Sequence, residues 1–91
     1  MDKYFSNIFI SNIKELRVSL KITEAVMDIL LQKYNLVYSG TESQLNKTIS
    51  LDLAKRISNL FGKGIEYFLD KDCVLVSKEA IPKELQEFLN N

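Results

Sequence analysis

The chain has 91 residues, with twelve Lys and Arg balanced by twelve Asp and Glu, so its formal net charge is zero. A domain that lives on phosphate contacts is usually basic, because its cations release the counterions condensed on nucleic acid, so the balance argues against binding by bulk charge. The length allows one domain with a modest core, and 46% hydrophobic with 26% charged residues excludes a disordered chain.

In chain order, residues 1–10 mix Tyr4, Phe5, Ile8, Phe9 and Ile10 with polar residues and read as a short helical or irregular lead-in that must pack on the domain. A first helix is predicted over 12–20. Asn12 with Glu15 three residues on fits a reciprocal N-terminal cap, and Ile13, Leu16 and Leu20 fall on one stripe. Thr23 is the expected N-cap of a second helix reaching Gln32, with Glu24 in its first turn, where an acid suits the helix dipole. Val26, Met27, Leu30 and Leu31 make its apolar stripe.

Residues 33–44 carry a mixed signal. Leu36, Val37 and Tyr38 favour a strand, while Gly40 weakens a helix by about 1 kcal/mol relative to Ala. Residues 45–49 read as a loop. A helix then runs from Ser50, its cap, to Phe61, with Leu53, Ala54, Ile57, Leu60 and Phe61 facing inward and Gly62 at the left-handed position past its end. A shorter helix covers 64–69, with Ile65, Phe68 and Leu69 apolar. Cys73–Val76 is a short β-like run, and Pro82 opens a last helix through Asn90 on a Leu85, Phe88 and Leu89 stripe.

The residue inventory narrows function. The absence of His removes Ser–His and Cys–His nucleophilic pairs and His-based metal sites. Most acids sit at helical spacing beside Lys or Arg, as a solvated mixed-charge face does. The sequence therefore reads as a non-enzyme with no catalytic or metal-binding residues, no cofactor and no evident small-molecule substrate. No apolar run approaches the roughly 20 residues of a membrane span, so no membrane partner is expected. Nothing after Met1 resembles a signal peptide, and the single Cys73 fits a reducing compartment, so the expected location is cytoplasmic.

Asn12-Ile13-Lys14-Glu15-Leu16-Arg17, then Thr23-Glu24, then Ser50 through Gly62, and finally Ile65-Glu66-Tyr67-Phe68-Leu69 resemble, in order and spacing, helices 1, 2, 4 and 5 of the lambda-repressor-like, Xre-type helix-turn-helix domains. The resemblance implies a mainly α, compact five-helix domain over 8–70; the C-terminal short strand and helix at 71–91 read either as an extension for dimerisation or as a tail folded back on its own core. It also implies a function: a repressor-like transcriptional regulator working as a homodimer on double-stranded DNA, with its third helix in the major groove.

Thr23 and Glu42 match the family's cap of helix 2 and the Glu ending helix 3. Counting back from Glu42 places the start of helix 3 near Tyr34 and Asn35. On this alignment Asn35 faces bases, Tyr34, Tyr38 and Ser39 reach bases or phosphates, and Lys33 and Lys47 meet phosphates. The chain departs from the family at Gln32, which replaces a turn Gly, and at Asp28, which replaces a small residue. Leu36, Val37, Tyr38 and Gly40 also make an unusual reading helix. These departures motivate a second reading: a degenerate helix-turn-helix module for protein–protein contact, acting as an antirepressor, antitoxin-like partner or adaptor. The charge is also asymmetric, with residues 1–69 holding nine bases and seven acids, and residues 70–91 three bases and five acids.

Overall fold

Asp2 begins the first element by accepting the Phe5 N–H at 2.9 Å, and one continuous helix, α1, runs through Lys3–Ser19. The computed structural model describes residues 1–38, 40–42 and 48–90. In it α1 is followed by α2 (Glu24–Gln32), α3 (Leu51–Leu60), α4 (Ile65–Phe68), a 3-10 turn at Lys78–Ala80 and α5 (Lys83–Leu89). The described chain is mainly helical and contains no strand. None of its helices is long and apolar enough to cross a membrane.

The expected lead-in and first helix are thus a single element, and Asn12 caps no N-terminus. The stripe continues backwards through Ile10, Phe9 and Ser6, all buried, so the helix register was already set upstream of Asn12. Ser6 fits the interior because its hydroxyl accepts the Ile49 N–H at 3.1 Å. Tyr4 and Phe5 stay exposed and stack edge-to-face on each other. Asn12 points at α4, where its Nδ2 donates to the carbonyls of Phe68 and Asp70, both at 2.9 Å. Those carbonyls lie at the end of a four-residue helix that cannot satisfy them itself.

The other caps follow the sequence. Thr23 accepts from Val26 N–H at 3.2 Å and Ser50 from Leu53 N–H at 3.0 Å. Ile13, Leu16, Met27, Leu30, Leu31, Ala54, Ile57, Phe61 and Phe68 form one core, with α1 and α3 both packed on α4. Val76, Ile81 and Leu85 are buried in that same core, so the C-terminal segment folds back on the helices. The radius of gyration, 12.1 Å, equals the roughly 12 Å of a compact chain this long.

The β-like run Cys73–Val76 is not a strand. It crosses the surface without a neighbouring strand to pair with, and β-propensity is a preference for a pleated, partnered surface.

α1, α2 and α3 all end alike. Just past each helix a residue turns left-handed, and the next N–H reaches back five positions: Ile22 to Arg17, Leu36 to Leu31, and Lys63 to Ser58. The left-handed residues are Lys21 (φ 60°), Asn35 (φ 60°) and Gly62 (φ 80°). Only Gly takes this conformation freely, and Asn tolerates it better than Lys. Lys21→Gly is therefore expected to stabilise the chain by about 0.5–1 kcal/mol, read as a rise in thermal midpoint of a few degrees. An unchanged or lowered midpoint would contradict this account of the α1 stop.

Candidate interaction surface at the end of α2

The residues expected to begin a DNA-reading helix instead finish α2. Lys33, Tyr34 and Asn35 form its terminal turn, and Leu36 drops into the core beside Leu31. Leu36, Val37 and Tyr38 have no regular structure. Asn35 is the left-handed stop and is exposed, so it does not occupy the first turn of a following helix. Ser39 and Lys47 lie outside the described residues.

Tyr38 does not face outwards. Its ring is 1% exposed, and its hydroxyl donates to Glu42 Oε2 at 2.6 Å. Burial and the adjacent Glu42 carboxylate push its phenol far above the ordinary range. Arg17 closes the same cluster, donating through Nε to Glu42 Oε2 at 2.5 Å, through Nη2 to Glu42 Oε1 at 3.1 Å, and through Nη1 to the Ile22 carbonyl at 2.6 Å. Burial alone would raise the Glu42 carboxyl, but hydrogen bonds from Arg17 and Tyr38 outweigh it and hold the carboxyl below the usual range.

Asp28 explains where the segment after α2 goes. Its carboxylate accepts the Tyr38 N–H at 3.3 Å and the Gln32 side-chain amide at 3.1 Å. Two of the residues that depart from the helix-turn-helix pattern, Asp28 and Gln32, therefore bond to each other, and Asp28 tethers the irregular chain to α2.

The outer side of this turn is taken by α5. Lys33 Nζ sits 4.4 Å from the centre of the Phe88 ring, and the Tyr34 hydroxyl donates to Glu84 Oε2 at 3.3 Å. Burial together with the Glu84 carboxylate raises the Tyr34 phenol. Beside these contacts Ile22, Val26, Ile29, Lys33, Phe88 and Leu89 line a groove of about 480 Å3, with Ile29 54% exposed. Thr23, at the far end of α2, is exposed, and its hydroxyl already accepts the Val26 N–H.

Of the expected site residues, Lys33 and Tyr34 thus come together under α5, Asn35 is exposed at the end of α2, Tyr38 belongs to the interior and Thr23 sits at the opposite end of α2. Their partners are Arg17, Asp28, Glu84 and Phe88, none of them expected as a site residue. Their links span 25, 10 and 50 residues for Arg17–Glu42, Asp28–Tyr38 and Glu84–Tyr34, beyond any local pattern. Among the described residues no group of three or more metal-ligating side chains converges. No family model, curated protein or solved structure matches the chain.

Proposed function

We propose that the chain is a protein-interaction module, built on a divergent lambda-repressor-like arrangement of helices, that receives an apolar partner segment in the groove between α2 and α5. It acts in a reducing cytoplasm, where Cys73 stays a thiol. The observation that carries this reading is the engagement of Lys33 and Tyr34 by Phe88 and Glu84. An operator-reading protein needs those side chains turned towards phosphates, and here an acidic residue stands over them. The apolar lining beside them, centred on exposed Ile29, is suited to a helix or extended segment presenting apolar anchors. It is poorly suited to a polyanion.

Two measurements separate this from the regulator reading. In fluorescence anisotropy against a randomised pool of duplex DNA over a salt series, binding weaker than micromolar and indifferent to sequence is expected at about 0.15 M salt, the non-specific regime. Sequence-selective binding near 10⁻⁸ M or tighter, lost on Lys33→Glu and Lys47→Glu, would instead establish a regulator. In a selection of random displayed peptides on the full chain, the enriched peptides should be apolar. They should lose binding to Ile29→Glu. Peptides indifferent to Ile29→Glu would remove the groove from the reading.

A further inference from the structure

The lining of the α2–α5 groove is uneven in charge. Ile22, Val26, Ile29, Phe88 and Leu89 are apolar, and Lys33 is its one charged residue. Val26, Ile29 and Lys33 fall on one stripe of α2, about 10 Å long. Ile22 extends the stripe at the capped end of the helix, and Lys33 closes it at the other. The Lys33 ammonium rests over the Phe88 ring and, among the described residues, pairs with no carboxylate. A cation held on a ring face keeps N–H donors for an anion. Asp28 of α2 is taken up by the Tyr38 N–H and Gln32, Glu84 of α5 by the Tyr34 hydroxyl, and neither lines the groove.

Backbone chemistry decides the conformation of an occupant. α2 satisfies its own backbone groups within the helix, so its wall offers an incoming chain only side chains. An extended segment would bury peptide groups there without partners, at a cost comparable to lost hydrogen bonds. A helix carries its own backbone bonds and presents apolar side chains at i, i+3 and i+7, the spacing of the stripe it meets. Direction follows from charge. The helix dipole favours an acid in the first turn of a helix, and Lys33 stands at the C-terminal end of α2. One carboxylate meets both conditions when the incoming helix runs antiparallel to α2.

We propose that the partner of the groove is an amphipathic helix of about three turns, antiparallel to α2, whose first turn carries an Asp or Glu that pairs with Lys33. This rests on the groove reading above and adds the partner's conformation, direction and charge. The apolar anchors over Val26 and Ile29 supply most of the affinity. The ion pair is exposed, so it contributes little to affinity and instead selects the partner and its direction.

The test uses Ala-rich helical peptides of about 15 residues on the full chain. They share Leu anchors at i, i+3 and i+7 and differ only in one first-turn residue: Glu, Gln or Lys. By fluorescence anisotropy at low salt, the Glu peptide is expected to bind about threefold more tightly than the Gln peptide and about tenfold more tightly than the Lys peptide. On Lys33→Glu the order should reverse. Such a reversal cannot come from the peptides' own helicity, and as a ratio on one protein it survives any general weakening of the groove. Moving the Glu to the last turn should abolish its advantage on the native chain. Equal binding of all the peptides, lost on Ile29→Glu, would overturn the acid and the direction while the groove stands. Binding by none of them, or binding indifferent to Ile29→Glu, would bring down the groove reading and the acidic helix with it. Self-association of the chain that Ile29→Glu abolishes would make a second copy the occupant, overturning the helical partner.

Discussion

Glu42→Ala is expected to cost about 3–5 kcal/mol, because it breaks a buried ion pair. Small domains have only about 5–15 kcal/mol in total, so the variant should lose well over 10 °C in thermal midpoint. The cost arises because Arg17 would remain with its guanidinium buried and its two bonds to the carboxylate gone, and Tyr38 would lose its acceptor. The side chains of Arg17 and Glu42 are 12% and 5% exposed, so water cannot replace the missing partner. The double replacement Arg17→Met/Glu42→Leu should recover most of the loss, because burying two charges cancels much of what their attraction returns. A double variant as unstable as Glu42→Ala would show that packing around Tyr38, not an orphaned charge, sets the cost.

The same cluster gives a pH dependence of definite sign. The Glu42 carboxyl titrates lower in the folded chain than in the unfolded one. As pH falls through the window between the two values, the unfolded state takes up the proton first, so folding stability drops. Above the ordinary carboxylate range the contribution is complete. Urea unfolding should therefore be steeper in pH below about 4.5 for the native chain than for Glu42→Gln.

Asn12→Leu is expected to cost about 2–3 kcal/mol, because it leaves the Phe68 and Asp70 carbonyls without the donor that satisfies both. Asn12→Asp tests the cause. An ionised carboxylate only accepts, so it would face two carbonyl oxygens and repel them. Its pKa would rise, and the variant should gain stability as pH is lowered, the opposite slope to that from Glu42. Amide exchange should show residues 65–70 opening in both variants while α2 stays protected. Uniform loss across the chain would mean that Asn12 serves the core as a whole rather than the end of α4.

How much of this was legible follows from where each signal lives. α2 and α3 were readable to their last residues, since Thr23, Ser50 and Gly62 act within a turn of where they stand. α1 was misjudged at its start because Ser6 and Asn12 interrupt an apolar stripe. Both are polar residues made tolerable by Ile49, Phe68 and Asp70, which are distant in sequence. The stop at Asn35 did have a local sign, an Asn just past the last stripe residue. The count backwards from Glu42 passed over it. Lys33 and Tyr34 were singled out as DNA contacts; α5, which packs on them, approaches from the other end of the chain and left no local sign there.

α1 holds three distant segments by single polar side chains at nearly even intervals: Ser6 to Ile49, Arg17 to Glu42, and Asn12 between them to Phe68 and Asp70. During synthesis from the N-terminus this helix emerges before any of those partners exists. Its buried polar groups must then stay hydrated until α4 has left the ribosome, so the amphipathic helix waits as a loosely collapsed surface rather than a finished layer. The three attachments close long loops of different length, 43, 25 and 56 residues, around one rod. Such a layout makes folding a single late, cooperative event governed by chain closure, with no N-terminal half stable on its own.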